Sequence, residues 1–211
     1  MAGRTSSGLI VASPVGLRLA GWLDIAFALV SLAELPFVVQ SIPTPPIWTI
    51  TLDTLRPLAY AYTFWVFKDL LRRRFGATRA TGALWVLVVV GILQVLIQGT
   101  PLWSSIFGIT IAFPVLSIVI SALYGLGLIG LGVTLLPRDL YGLTKPLGIL
   151  LIVAGLYPLL SVVAAGPLLA ALTPTTLGPV GAIYVVVGLG STLVAAPMVV
   201  LGALLLRAAR S

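Results

Sequence analysis

Six stretches of the chain are apolar for long enough to cross a bilayer: Leu17 to Val39, Leu52 to Leu71, Gly82 to Gln98, Ile109 to Leu136, Leu147 to Leu172 and Val180 to Leu206. A membrane's hydrocarbon core takes about 20 helical residues, and only helices or closed barrels satisfy their backbone there. The apolar positions run on without the alternation of a half-buried strand, so the pattern predicts helices. The expected fold is all-α: a polytopic transmembrane bundle of six spans arranged as three consecutive helical hairpins. The fourth and fifth stretches are long and carry Pro114, Pro158 and Pro167, which predicts tilt or a kink.

The connections between stretches alternate in character. One set is basic, with Arg4 and Arg18, then Lys68, Arg72, Arg73, Arg74 and Arg79, then Arg138 and Lys145, then Arg207 and Arg210. The other set, Ser41 to Thr51, Gly99 to Phe107 and Thr173 to Pro179, is nearly uncharged and marked by proline turns. Lys and Arg collect in cytoplasmic loops, so an even number of spans places both termini inside, in the cell membrane. Residues 1–15 then form a flexible cytoplasmic tail and 16–211 one domain, with hairpins at about 17–74, 79–138 and 145–207. Arg72, Arg73, Arg74, Arg79, Arg138, Lys145, Arg207 and Arg210 are expected to anchor topology and meet anionic lipid headgroups.

A weak repeat follows the same division. Arg18, Arg79 and Lys145 are each followed three positions later by glycine, at Gly21, Gly82 and Gly148, and each hairpin closes on leucines and then arginine. The stretch Gly125-Leu-Gly127-Leu-Ile-Gly130, with Gly132, matches a dinucleotide fingerprint in spelling only. It lies mid-span with no strand before it, so it reads as a small-residue face for close helix contact, as do Gly188, Gly190, Ala195 and Ala196.

Composition narrows the chemistry. Hydrophobic residues make up 60% of the chain and charged residues 8%, too few charges to cover a water-soluble globule. The net charge of +7 would raise nucleic acid in a soluble protein, but here the cations sit at helix ends. The chain has no Cys and no His, which removes disulfides, iron–sulfur clusters, thiolate or imidazole zinc and His-ligated haem. No cofactor and no metal are expected, and no enzyme activity.

Charges inside the spans carry what functional signal there is, because each costs roughly 2.5 to 3.5 kcal/mol to insert. In an antiparallel hairpin turning near Thr44 to Pro46, residues at equal depth have position numbers summing to about 90. Asp24 with Lys68, and Glu34 with Arg56, meet that condition and are expected to form two ion pairs. Gln94 and Gln98 lie one turn apart on the third span, with Gln98 expected near Ser117 and Gln94 near Ser121 and Tyr124. Two functions fit. The first is a scaffold or assembly protein, bound to a membrane-protein partner or to copies of itself. The alternative is a small transporter or channel whose path is lined by Asp24, Glu34, Arg56, Lys68, Gln94 and Gln98.

Overall fold

A computed structural model describes residues 13–33, 47–100, 114–172 and 178–211. Six helices account for nearly all of them: α1 Pro14–Ala33, α2 Ile47–Phe75, α3 Ala80–Gln98, α4 Pro114–Leu135, α5 Thr144–Leu172 and α6 Gly178–Ala208. No strand occurs among the described residues. All helices except α2 contain a segment long and apolar enough to cross a membrane. α2 is set apart by Asp53, Arg56, Lys68 and Asp69 along its length. The protein is a helical, multi-pass membrane bundle.

Each helix packs on its neighbours in the chain, and α6 packs on α1, so the six close into a ring. Among the described residues, the tightest pairs are α4 with α5, α1 with α6, and α2 with α3. The hairpin division expected from the sequence pairs α1 with α2, α3 with α4 and α5 with α6. These also touch, but less closely, and α1 with α2 least of the six.

Glycine explains the difference. Lipid is as apolar as leucine, so helices in a membrane gain most where small residues let backbones meet. A side-chain carbon built on Gly132 would stand 2.6 Å from the Gly148 carbonyl oxygen, and one on Gly155 would stand 2.5 Å from that of Gly125. The same geometry joins Gly21 and Gly202 across α1 and α6, at 2.6 and 2.8 Å. On α2 and α3 the contact is Gly91 against Ala61 and the Pro57 carbonyl, both at 3.0 Å. On α4 and α5 the contacts recur after seven residues, two helical turns, on both partners. Buried Ala28 and Ala195 occupy the corresponding step on α1 and α6.

Large buried side chains fill one half of the ring. Phe64, Phe67, Leu70, Leu84, Leu87, Leu128, Leu131, Leu147, Leu151, Leu201 and Leu204 lie toward the ends that carry Arg72 to Arg74, Arg79, Arg138 and Arg207. The outer surface is apolar as well, with Leu19, Trp22, Val89, Ile92, Leu126, Ile149 and Leu160 about half exposed. Apolar groups outside together with buried polar ones inside is the distribution lipid imposes.

The basic end is tied by Tyr141, in the connection between α4 and α5. Its backbone is left-handed, with φ of 57°, a conformation that costs a non-glycine residue roughly 1–2 kcal/mol. Several contacts hold it there. Arg207 donates to its carbonyl at 2.9 Å, its ring meets Phe75 edge-on at 6.1 Å, and its hydroxyl lies 2.9 Å from the Ser211 hydroxyl. Arg74 donates to the Ala208 carbonyl at 2.8 Å and to Ser211 at 3.0 Å. The ends of α2 and α6 and the α4–α5 connection are thereby joined. Thr144 is buried in the same connection, donating to the Arg138 carbonyl and accepting from the Leu140 N–H.

Of the prolines expected to bend spans, Pro114 instead begins α4, where its missing N–H costs nothing. The proline that interrupts α2 is Pro57.

The glycine contacts make an asymmetric prediction. Gly155→Ala forces backbone against backbone and is expected to cost about 1–3 kcal/mol of overpacking. Gly82→Ala, where nothing lies within 4 Å, should be neutral or gain up to about 1 kcal/mol from helix propensity. Detergent-titrated unfolding of both variants checks this; equal losses would contradict the packing.

Candidate functional site

Toward the end opposite the arginines, the ring does not fill its centre. A cavity of about 330 Å³ lies there, lined by Ser31 of α1, Arg56, Pro57 and Tyr60 of α2, Gln94 of α3, Tyr124 of α4, Tyr157 of α5, and Gly190, Ser191 and Val194 of α6. Every helix contributes, so the site exists only when the ring is closed.

Local sequence explains the space. Gly190 leaves a notch that the Tyr157 ring occupies, so closely that any side chain at position 190 would displace it. Pro57 has no N–H to offer the carbonyl one turn back, which leaves a break in the α2 ladder at the cavity wall. Ser31 donates to its own helix at the Phe27 carbonyl, 2.6 Å away, which leaves its lone pairs to the cavity. Gln94, Tyr124 and Ser191 make no side-chain hydrogen bond among the described residues and are placed to bind what enters.

The charge at the wall is largely balanced. Arg56 donates to Asp53 at 3.0 Å, one turn earlier on α2. Asp53 was not among the candidate residues, because an i, i+3 partner on the same helix is invisible to an argument about depth across a hairpin. Glu34, the partner expected for Arg56, lies outside the described residues, as does the Gln98 side chain. Gln94 and Tyr124, expected near one another, line the same cavity.

Asp24 and Lys68 are both buried but are not paired. Lys68 stands at the α2–α3 interface, its ammonium 3.9 Å from the Trp85 ring centroid, 5.2 Å from that of Trp65 and 3.9 Å from Asp69. Two aromatic faces and an adjacent carboxylate replace the expected partner. Asp24 faces elsewhere, with its Cβ 3.3 Å from where a side chain on Gly202 would begin. The depth argument placed the two residues on one level, but Asp24 meets α2 at Thr63, whereas Lys68 leaves α2 on the side facing α3, so the side chains diverge.

Asp24 is completely buried, and among the described residues neither carboxylate oxygen meets full hydrogen-bond geometry, the Thr63 hydroxyl being the polar group that interacts with it. Thr63, also fully buried, stands beside it with its hydroxyl directed to the Ala59 carbonyl at 3.0 Å and, more distantly, to that of Ala20 at 3.4 Å. Tyr124 lies within electrostatic reach of both Asp24 and Tyr60. Asp24 thus sits about 10 Å along α1 from Ser31, between the cavity and the apolar half.

No protein family, curated protein or solved structure matches the chain.

The residues expected at lipid headgroups occupy one end. Arg72, Arg73, Arg74, Arg79, Lys145, Arg207 and Arg210 are exposed there and Arg138 is partly so, with Arg73 also 3.6 Å from Asp69. Serine and tyrosine were the signals missed in the interior. Ser31, Tyr60, Tyr157 and Ser191 are too common in membrane helices for sequence to single out, and only ring closure brings them together.

The tryptophan sleeve around Lys68 gives a second prediction. Trp85→Leu bares the ammonium to lipid and is expected to cost about 2 kcal/mol, whereas Lys68→Met in the Trp85→Leu background should restore most of it. Unfolding free energies of the two single variants and the double variant measure the coupling; additive losses would contradict a direct interaction.

Proposed function

We propose that this protein is a small transporter of the cell membrane, with both termini cytoplasmic, whose central cavity binds a small neutral organic solute rich in hydrogen-bonding groups. The observation that carries this reading is the cavity lined by polar side chains from all six helices. Its volume lies at the lower end of the roughly 300–1,000 Å³ of small-molecule sites. A scaffold would bury a dry, filled core along its whole length and would gain nothing from an unfilled polar layer, which the membrane makes costly.

The lining defines the solute class. Asp53 offsets the charge of Arg56, and the remaining polar groups are phenols, hydroxyls and an amide, which recognise donors and acceptors without a net charge. Tyrosine rings, Pro57 and Val194 supply apolar wall for a carbon skeleton. The six helices close the ring within one chain, and each contributes to the lining. The exposed cations at the other end suit anionic headgroups of the cytoplasmic leaflet.

Proteoliposomes challenged with radiolabelled sugars, polyols, amides and nucleosides test the proposal. At least one class should be taken up above empty liposomes, with Gln94→Leu and Gly190→Leu lowering uptake about tenfold or more while the protein remains monodisperse. Absence of uptake for every class, together with no ligand-induced rise in melting temperature, would refute it.

A further inference from the structure

We propose that Asp24 is the proton-binding site that couples solute movement to a proton gradient, a role that rests on the transport reading above. The geometry points to it in three ways. The carboxyl group is wholly enclosed, and among the described residues the Thr63 hydroxyl is the polar side chain beside it, with no cation and no full-geometry hydrogen bond. It lies on α1 at the level between the solute cavity and the apolar half. Tyr60, one turn from Thr63 on α2, and Tyr124 are buried and line the cavity, so polar side chains extend from the cavity toward the layer that holds Asp24.

The physical chemistry is a difference between two conformations. An ionised carboxylate enclosed without a partner costs several kcal/mol, whereas the neutral acid does not. The closed layer around Asp24 therefore accommodates the protonated side chain, and loss of the proton requires water to reach it. The proton enters from the cavity, bonds to a carboxylate oxygen, and leaves as the apolar half opens, regenerating the carboxylate. One proton is bound and one released in each cycle.

The groups that face Asp24 leave the proton as the natural ligand. From α2 comes Thr63, from α4 the Tyr124 phenol, and from α6 Gly202, with Arg207 at the basic end the only charged residue on that helix. On α1 itself Arg18 lies nearly two turns away and is exposed. No described cation faces Asp24 closely enough to pair with it. A metal cation would need several oxygen ligands, while one carboxylate and one hydroxyl already committed to a backbone carbonyl are what the site offers.

The test uses the full-length protein in proteoliposomes loaded with a pH-sensitive dye. Wild type should accumulate solute under an inward proton gradient and should acidify the lumen when solute is added. Asp24→Asn should retain solute exchange at equal concentration on both sides within about threefold, yet lose gradient-driven accumulation and acidification by about tenfold or more. Where Asp24→Asn does not fold, Asp24→Glu with its displaced carboxyl serves, and an unchanged coupling ratio in it would overturn the proposal. Infrared spectra should show a protonated-carboxyl stretch in wild type that is missing from the Asp24 variant. Exchange with no proton coupling in wild type, or accumulation driven by sodium alone, overturns the proposal while leaving transport standing. Absence of any wild-type flux overturns both.

Discussion

Backbone meeting backbone at glycine is the constraint from which the rest of this structure follows. In hydrocarbon there is no gain from hiding leucine, so a helix pair associates where its surfaces approach most closely. Gly125, Gly132, Gly148 and Gly155 bring α4 onto α5, and Gly21 and Gly202 bring α1 onto α6. Gly91, on Ala61 and Pro57, does the same for α3 and α2. Three tight pairs then meet around one axis. Six helices in a ring leave a centre that only large side chains can fill, and phenylalanine and leucine do so in one half only. The cavity is therefore a consequence of where the bulky residues stop.

The same constraint explains how polarity is distributed. Long apolar side chains cover the outside, and the polar residues that remain within the spans turn inward or find local partners. Arg56 takes Asp53 on its own helix, and Lys68 takes two tryptophan faces. Each solution is short-range, made within one helix or across one tight pair. Asp24 alone among the described buried charged side chains receives no such partner. At the basic end, charged side chains instead close the bundle, and the Arg74, Arg207 and Tyr141 contacts hold a left-handed residue in place.

Length and hydropathy were enough to read six helices, because the membrane imposes a single dominant requirement on each span. The ends of α3 and α5 fall within a few residues of the expected positions for the same reason. The glycine faces were legible as packing surfaces, although not which helix each would meet. Partner choice is where sequence reasoning failed for Asp24 and Lys68. Depth is encoded in position number, but azimuth is set by which neighbour is approached most closely, and that depends on glycines elsewhere in the chain, Gly202 for Asp24 and Gly91 for Lys68. The cavity was partly visible, through Arg56 and Gln94, because a charge or an amide in a span is conspicuous. Tyr124 was visible through Gln94, but Tyr60, Tyr157, Ser31 and Ser191 were not, since such residues pack equally well against lipid headgroups or their own backbone.

The asymmetry between the two halves of the ring decides what kind of machine the fold can be. A pore would need the polar lining to continue past Asp24, yet beyond it Phe64, Phe67, Leu128, Leu131 and Leu201 are fully buried. On the transport proposal, an apolar layer of that depth excludes solute in this conformation, so passage requires the helices to separate at the basic end. The glycine contacts permit such motion between pairs more readily than within them, since the links from α1 to α2, α3 to α4 and α5 to α6 are the looser ones. Rigid-body rocking of three tight pairs about three loose seams is then the motion the packing favours. Asp24 stands at one of the tight pairs, facing Gly202, with Thr63 across the loosest seam. On the proposed coupling role, its state of charge bears directly on whether that seam stays shut.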